Sequence, residues 1–176
     1  FITILAGVAA VLILIKIEPY RFNRLLTFLN PEHDPLGIGY QVNQAIIAIG
    51  SGGLFGVGIG ESRQKYNYLP EPVGDSIFAV ASEETGLIGA SVIIVLFLIF
   101  AYFGYRISKN ASTEFGKLLG FGLTTWIFVQ ALINITAISG MIPLTGVPLP
   151  FISFGGTSLM VALTSVGIIS NIGKQN

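Results

Sequence analysis

Residues 86–105 read GLIGASVIIVLFLIFAYFGY and contain no charged side chain. A helix of about 20 apolar residues is long enough to cross the hydrocarbon core of a bilayer. Further along the chain, the whole stretch from Leu118 to Gly173 lacks Asp, Glu, Lys, Arg and His. No water-soluble domain of this size could bury such a stretch in its core, so the sequence predicts an integral membrane protein.

The composition of the whole chain agrees with this prediction. Hydrophobic residues make up 52% and charged residues 10% of the 176 positions, whereas soluble domains average about 25% charged residues. A net charge of zero without a basic patch gives no indication of nucleic-acid binding. The chain has no Cys, which excludes disulfides, thiolate metal sites and Cys nucleophiles. It opens at Phe1 inside an apolar stretch without the features of a signal peptide, so we expect the C-terminal part of a longer protein.

We predict an all-α fold, a polytopic transmembrane bundle with a large extracellular loop that carries short interfacial helices. About four spans are expected, at about residues 1–17, 86–105, 118–142 and 154–172, with the outer loop at about 18–85. Basic residues in short loops mark the cytoplasmic side. Four of them place residues 18–85 and 143–153 outside: Arg106, Lys109, Lys117 and Lys174. Three others, at the outer end of the first span, oppose this orientation: Lys16, Arg21 and Arg24.

The outer loop is expected to contain two short helices. Phe22, Leu25, Leu26 and Leu29 have helical spacing, and the prolines that follow end that helix. Residues 40–50 have a second apolar face. Because neither segment is long enough to span, both predict interfacial or re-entrant helices.

Residues 50–60, GSGGLFGVGIG, contain six glycines but match neither the dinucleotide fingerprint nor the phosphate-binding loop. Two interpretations remain: a tight loop at the membrane interface, or a close backbone approach to a ligand phosphate, helped by Arg63 and Lys65. The single histidine, His33, lies between acids in NPEHDP, which favours a surface loop over a metal site. Without a G-x-S-x-G motif beside it, a hydrolase triad is also disfavoured.

Residues 143–158, PLTGVPLPFISFGGTS, separate the last two predicted spans. Irregular backbone at membrane depth occurs only where it is buried in protein or lines a wet cavity. The segment therefore predicts either a rigid hairpin or a re-entrant cavity wall that faces the outer loop. The polar residues inside the preceding span are interpreted as helix–helix contacts: Thr124, Thr125, Gln130 and Asn134.

Four carboxylates lie in YLPEPVGDSIFAVASEETG, residues 68–86, just before the second span. A helix that began near Asp75 would hold this acid in its first turn, where an anion is favoured. The neighbours of Asp75 are small or apolar, which indicates a partly desolvated carboxylate suited to act as a general base. On an unbroken helix Glu83 would lie within about 80° of Asp75 and Glu84 on the opposite side. Glu83 is therefore the expected neighbour, and Glu71 is assigned to the loop.

Three stretches taken together resemble the SEDS family (shape, elongation, division and sporulation), of FtsW/RodA type. They are NPEHDPLGIGYQ (30–41), GSGGLFGVGIGESRQKYNYLPEP (50–72) and QALINITAISGMIPLTGVPLPFISFGGTS (130–158). The motif SRQKYNYLPE is closer to the FtsW cell-division branch of the family than to the RodA elongation branch. The sequence departs from the family pattern around Asp75, where Val73 and Gly74 replace His or Gln followed by Thr, and Ser76 replaces Phe.

The resemblance implies a multi-pass enzyme of the bacterial plasma membrane with about ten spans, of which this chain would supply the last four. Its reaction polymerises lipid II, and the family's essential acid corresponds to Asp75. This carboxylate would take the acceptor hydroxyl proton in an inverting transfer that expels undecaprenyl pyrophosphate. The substrate-binding residues are expected to be Arg63, Lys65, Gln44, Glu83, Glu71, Ser153 and Gly155, with the two cations facing the pyrophosphate.

No residue is assigned to a metal, and a divalent cation at the pyrophosphate is the one cofactor left open. The implied partners are a class B penicillin-binding transpeptidase and other divisome membrane proteins. Two other functions would use the same residues. A lipid II transporter (flippase) would need the cavity but no general base, and a non-catalytic divisome scaffold would need neither.

Overall fold

The computed structural model describes residues 19–30, 34, 37–66 and 69–174, and every regular element within these ranges is a helix. In chain order the helices are α1 (Pro19–Leu29), α2 (Ile38–Ser51), α3 (Ile77–Lys109), α4 (Glu114–Ile138) and α5 (Gly156–Lys174). The last three are long and apolar enough to cross a membrane. The predicted all-α transmembrane architecture is confirmed. The predicted first span and His33 lie outside the described residues.

The observed ends of the helices agree with the predicted ends in the outer loop. They differ from the predicted ends in the long helices. Helix α1 ends at Leu29, and α2 contains the predicted segment 40–50. The stretch 86–105 is only the second part of α3, which begins at Ile77. Helix α4 ends four residues before position 142, because Gly140 adopts a left-handed conformation (φ 72°) and the Met141 amide donates back to the Thr136 carbonyl at 2.9 Å.

Helices α3 and α4 form a closely packed antiparallel pair joined by the short turn 110–113. Small residues permit the close approach, since a Cβ built on Gly104 would lie 2.5 Å from the Thr124 hydroxyl oxygen. Gly120 makes the same kind of contact with Ser108 one turn away. Small residues at helix interfaces are typical of membrane bundles, where packing rather than the hydrophobic effect drives association. Helix α5 packs against both members of the pair.

Helix α3 is broken at Gly86, which has φ 69° and ψ −167°, a backbone conformation open almost only to glycine. The break deprives the Leu87 and Ile88 amides of their partners one turn back, the carbonyls of Glu83 and Glu84. The glycine loop (residues 50–60) supplies replacements. The Val57 and Gly58 amides donate to Glu83 and Glu84 at 3.0 and 3.1 Å.

Amides of α3 also donate hydrogen bonds to carbonyls of the glycine loop. The Leu87 and Ile88 amides donate to the carbonyls of Gly53 and Leu54 at 2.9 and 3.3 Å. The loop backbone must lie against α3 to do so, and a Cβ on Gly56 would collide with the Glu84 carbonyl. The glycine loop is therefore the tight loop of the first interpretation, and the partner its backbone approaches is α3.

Gly86→Ala should lower the free energy of unfolding by at least about 2 kcal/mol, because an L-residue is strained at this φ and ψ. Its Cβ would also collide with the Gly56 amide and the Leu54 carbonyl. Gly122→Ala is the matched control, since a Cβ there meets nothing within 4 Å and alanine favours the helix. Thermal unfolding of the detergent-solubilised full-length protein compares the two. Equal melting temperatures would contradict the role given to the break.

Candidate active site

Asp75 lies in a tight turn that immediately precedes α3. The helix begins at Ile77 with Ser76 as its N-cap residue, so the expectation that Asp75 lies in the first helical turn is wrong. The turn is closed by hydrogen bonds from the Gly74 and Ser76 amides to the Glu71 carbonyl, at 3.0 and 3.4 Å. Glu71 has φ 48°, which bends the chain there. Because the turn is closed on itself, Asp75 projects from fixed backbone.

The Asp75 carboxylate is half-buried, with one hydrogen-bond partner from α2 and one nearby cation from α1. Gln41 of α2 donates from its side-chain amide to Asp75 Oδ1 at 3.3 Å and to the Ser76 hydroxyl at 3.1 Å. Arg24 of α1 borders the same space. A Cβ built on Gly146 would lie 3.5 Å from an Arg24 guanidinium nitrogen and 3.8 Å from Asp75 Oδ2. A carboxylate, an amide and a guanidinium from three separate segments therefore meet beside Gly146.

Burial raises the pKa of Asp75 above its usual value of 3.8, because the charged form loses hydration. The Glu71 carboxylate nearby raises the pKa further. The aspartate's own backbone amide, the Gln41 amide and the Arg24 charge act in the opposite direction and lower it. The net effect is a carboxylate that accepts a proton more readily than an exposed aspartate does.

Asn134 of α4 is 1% exposed and holds the main chain at Asp75 in place. Its side-chain amide donates to the Asp75 carbonyl at 2.8 Å and to the Val147 carbonyl at 2.7 Å. The interpretation of Asn134 as a plain helix–helix contact is wrong, because its partners are the acid's turn and the segment 143–155. A side chain that holds both carbonyls keeps these two segments in register.

The segment 143–155 is hydrogen-bonded to α1, to α4 and to the acid's turn. Arg24 donates to the Leu144 carbonyl at 2.9 Å, and Gln130 of α4 donates to the Pro148 carbonyl at 3.0 Å. The Phe154 amide donates to the Val73 carbonyl, two residues before Asp75, at 2.8 Å. Leu144 also lines a cavity of about 100 Å³ together with residues of α1 and α2, which favours a cavity wall over a simple hairpin for this segment.

Ser153 and Gly155, two of the predicted substrate-binding residues, belong to this wall. The Ser153 hydroxyl accepts from the Leu149 amide at 2.7 Å and stabilises the turn. The Gly155 carbonyl caps the start of α5 by accepting from the Leu159 amide at 2.9 Å. Both residues therefore shape the wall from within.

Glu83, Arg63 and Lys65 form a second cluster, roughly two helical turns from the acid along α3. The Glu83 side chain is 2% exposed. It accepts from the Ser62 hydroxyl at 2.5 Å and from the Arg63 and Gln64 amides at 3.1 and 3.4 Å. Its carboxylate thus caps the segment that follows the glycine loop. This arrangement differs from the cavity neighbour expected on an unbroken helix.

Lys65 is held inside the same cluster. Its ammonium lies 2.8 Å from the Glu84 carboxylate and donates to the Gly60 carbonyl at 2.6 Å. The hydrogen bond with Glu84 raises the pKa of Lys65, so it stays charged. Arg63 projects an exposed side chain. Of the two expected cations, only Arg63 is directed to solvent, and neither is among the partners of Asp75.

Gln44 lies one turn beyond Gln41 on α2, and it is Gln41 whose amide reaches Asp75. Gln41 was recognisable in the sequence as the last residue of NPEHDPLGIGYQ. Arg24 carried no such signal, because its place beside the acid depends on how α1 packs. Within the described ranges no group of three or more His, Asp or Glu side chains could hold a metal ion.

The family model of the FtsW, RodA and SpoVE cell cycle proteins matches residues 1–176. "Stage V sporulation protein E" of Bacillus subtilis is 45% identical over 172 residues, which are 98% of this chain and 47% of that protein. The "Probable peptidoglycan glycosyltransferase FtsW" of Geobacter sulfurreducens is 45% identical over 156 residues, which are 89% of this chain and 42% of that protein.

A solved structure of a peptidoglycan synthase complex contains a chain with the same fold. The TM-score is 0.70 at 23% identity, and the match covers 99% of this chain and 49% of that one. The chain thus spans about half the length of the relatives it matches. Since the family model and these relatives cover nearly all of its residues, the chain belongs to the FtsW, RodA and SpoVE family of cell cycle proteins.

Proposed function

We propose that this protein is a peptidoglycan glycosyltransferase that polymerises lipid II, with Asp75 as its general base. The observation that carries the proposal is the half-buried Asp75 carboxylate, bonded to Gln41 and bordered by Arg24, at the end of a helix long enough to span a membrane. The names of the FtsW relatives support the same activity. We place the acid's end of α3 on the periplasmic side of the bacterial plasma membrane.

The reaction joins the sugar 4-hydroxyl of one lipid II to the anomeric carbon of another. Asp75 takes the hydroxyl proton while the oxygen forms the new glycosidic bond with inversion. The anomeric carbon–phosphate oxygen bond breaks, and its electron pair leaves with undecaprenyl pyrophosphate. Asp75 then returns its proton to solvent. A base whose pKa is raised suits this step, because its ionised form binds the proton more strongly than an exposed aspartate does.

The leaving pyrophosphate needs positive charge, and Arg24 is the better placed candidate. Its guanidinium borders the acid, whereas Lys65 is paired with Glu84. A guanidinium can bind phosphate oxygens through two parallel hydrogen bonds. We propose Arg24 as the principal contact, with the exposed Arg63 as an outer one. Any divalent cation would be held mainly by the substrate phosphates, the usual mode for Mg²⁺, and no step depends on it.

We propose a class B penicillin-binding transpeptidase as the partner of the full-length protein. The structural relative comes from a synthase complex described as coordinating polymerization and crosslinking. The cell-division assignment follows the FtsW relatives, while the similarity to the Bacillus protein extends the proposal to sporulation.

Asp75→Asn in the full-length protein, purified with its transpeptidase, should reduce polymerisation of lipid II by at least about 100-fold, since the general base is lost. Lipid II binding should persist. Glu114→Gln is the control, because this acid is exposed and pairs with the neighbouring Lys117. Gel electrophoresis of the glycan strands measures the product. Undiminished strands from Asp75→Asn would exclude the catalytic role and favour a transporter or a scaffold.

The same substitution should leave thermal stability unchanged or slightly raised. Because the pKa of Asp75 is raised in the folded state, its contribution to stability is fully present below the unfolded-state value and is lost as the pH rises through the folded value. Above the folded-state pKa the charged carboxylate destabilises the folded protein, and the uncharged asparagine removes this destabilisation. A melting temperature well below that of the parent protein would indicate that the loss of activity reflects unfolding.

The polymerisation rate should fall at low pH, since Asp75 must be ionised to act. The midpoint of this acid limb of the pH–rate profile should lie above pH 3.8, because the pKa of Asp75 is raised. Glu71→Gln should move this limb to lower pH, because the Glu71 charge raises the pKa of Asp75. Gln41→Leu should move it to higher pH by removing a hydrogen bond to the charged form. Rates measured across pH for the three proteins test the assignment, and limbs that coincide would contradict it.

Asn134→Leu should reduce polymerisation and lower stability. The substitution leaves the partly buried carbonyls of Asp75 and Val147 without their donor, at a cost of up to about 1–3 kcal/mol for each group. Thr136→Ala on the same helix is the control, because its hydroxyl bonds only to carbonyls of α4. Rates and melting temperatures are compared for both. Full activity of Asn134→Leu would show that the link between the two segments is dispensable.

A further inference from the structure

The glycine loop presents four large apolar side chains on its surface. Leu54, Phe55, Val57 and Ile59 are 61, 80, 45 and 87% exposed. No charged residue occurs among residues 50–60. Scattered apolar residues on a surface are ordinary, but a contiguous apolar patch indicates a contact with another molecule or with a membrane.

The backbone contacts of the loop fix its level along α3. Val57 and Gly58 bond at Glu83 and Glu84, whereas Gly53 and Leu54 bond at Leu87 and Ile88. Four residues of helix rise by about 6 Å, so Leu54 lies about one turn further into the apolar part of α3 than Gly58 does. Leu87 and Ile88 are themselves exposed members of the candidate membrane span, at 59 and 53%. The apolar surface of the loop is therefore continuous with an exposed apolar surface of a candidate span.

Charge and hydrogen bonding both fit insertion into lipid. The ion pair of Lys65 with Glu84 lies where the loop ends, at the level expected for the headgroups. Irregular backbone that faces lipid does not occur within the hydrocarbon region, so only the side chains of such a loop can reach the acyl chains. Two amides and two carbonyls of the loop backbone are bonded to α3, and the loop's remaining unbonded polar groups need water at headgroup level.

We propose that the glycine loop inserts into the outer leaflet of the bilayer, with Leu54 and Phe55 among the acyl chains and Ile59 at headgroup level. The bilayer itself is the partner of this surface. Its insertion would fix the level of the α3 break, and hence of the short helical segment that begins after Asp75. The proposal is independent of the polymerase activity, since it concerns only the position of the loop relative to lipid.

Single cysteines labelled with an environment-sensitive fluorophore test the proposal in the full-length protein, because this chain has no Cys of its own. Any cysteine elsewhere in the protein is replaced by Ser. The labelled variants are Phe55→Cys and Ile59→Cys, with Glu61→Cys as the control just beyond the loop. The protein is placed in nanodiscs of phosphatidylethanolamine and phosphatidylglycerol, with spin-labelled lipid as one quencher and aqueous iodide as the other.

Insertion predicts that spin labels along the acyl chain quench the label at position 55 at least about twofold more than the label at position 61. Position 59 should be quenched best by a spin label near the headgroup. Equal iodide quenching at all three positions would overturn the proposal in favour of an aqueous loop. Protection of position 55 from both quenchers would overturn it in favour of a protein contact. The Ile59→Cys variant keeps the test decisive if Phe55→Cys fails to fold.

Discussion

The break in α3 at Gly86 and the loop backbone that repairs it are the contact on which the rest of the structure depends. Two amides and two carbonyls of the helix lose their partners, and two carbonyls and two amides of the glycine loop replace them. In a chain whose long helices are built for a membrane, unsatisfied backbone groups would cost several kcal/mol each. The exchange therefore joins the outer loop to α3 with little freedom to shift.

Because of this junction, Glu83 and Glu84 of α3 have a different role from Asp75, which precedes the helix. Glu83 and Glu84 lie next to the break, where they bind the segment that leaves the glycine loop, through Ser62 and Lys65. Asp75 lies at the other end of the short first part of the helix and faces α1, α2 and the segment 143–155. The carboxylates of Glu83 and Glu84 are bonded to other groups of the protein. The Asp75 residue is only half-buried and keeps part of its surface accessible.

The environment of Asp75 balances opposing effects. Burial and Glu71 raise its pKa, while Gln41 and Arg24 favour its charged form. Too much burial would leave the acid protonated at neutral pH, and too strong a pairing would make it a poor base. The net result for Asp75 is a raised pKa, so its carboxylate accepts a proton more readily than an exposed aspartate does.

The hydrophobic stretches and the prolines and glycines around them determined the class of fold, since apolar length and helix-ending residues act locally. Helices α1 and α2 and the membrane-spanning character of the long helices could be inferred from them, and the small and apolar neighbours of Asp75 indicated its partial burial. The positions of side chains relative to one another could not. Gln41 rather than Gln44 reaches the acid, Asn134 binds its turn, and Lys65 pairs with Glu84.

These pairings join residues that are 19 to 59 positions apart in the chain. Only the packing of α2, α4 and the glycine loop against α3 brings them together. The sequence by itself determined that a desolvated acid would stand at the entrance to a membrane span. The tertiary structure decided which neighbours tune it, because hydrogen bonds and burial depend on distances that local sequence does not specify.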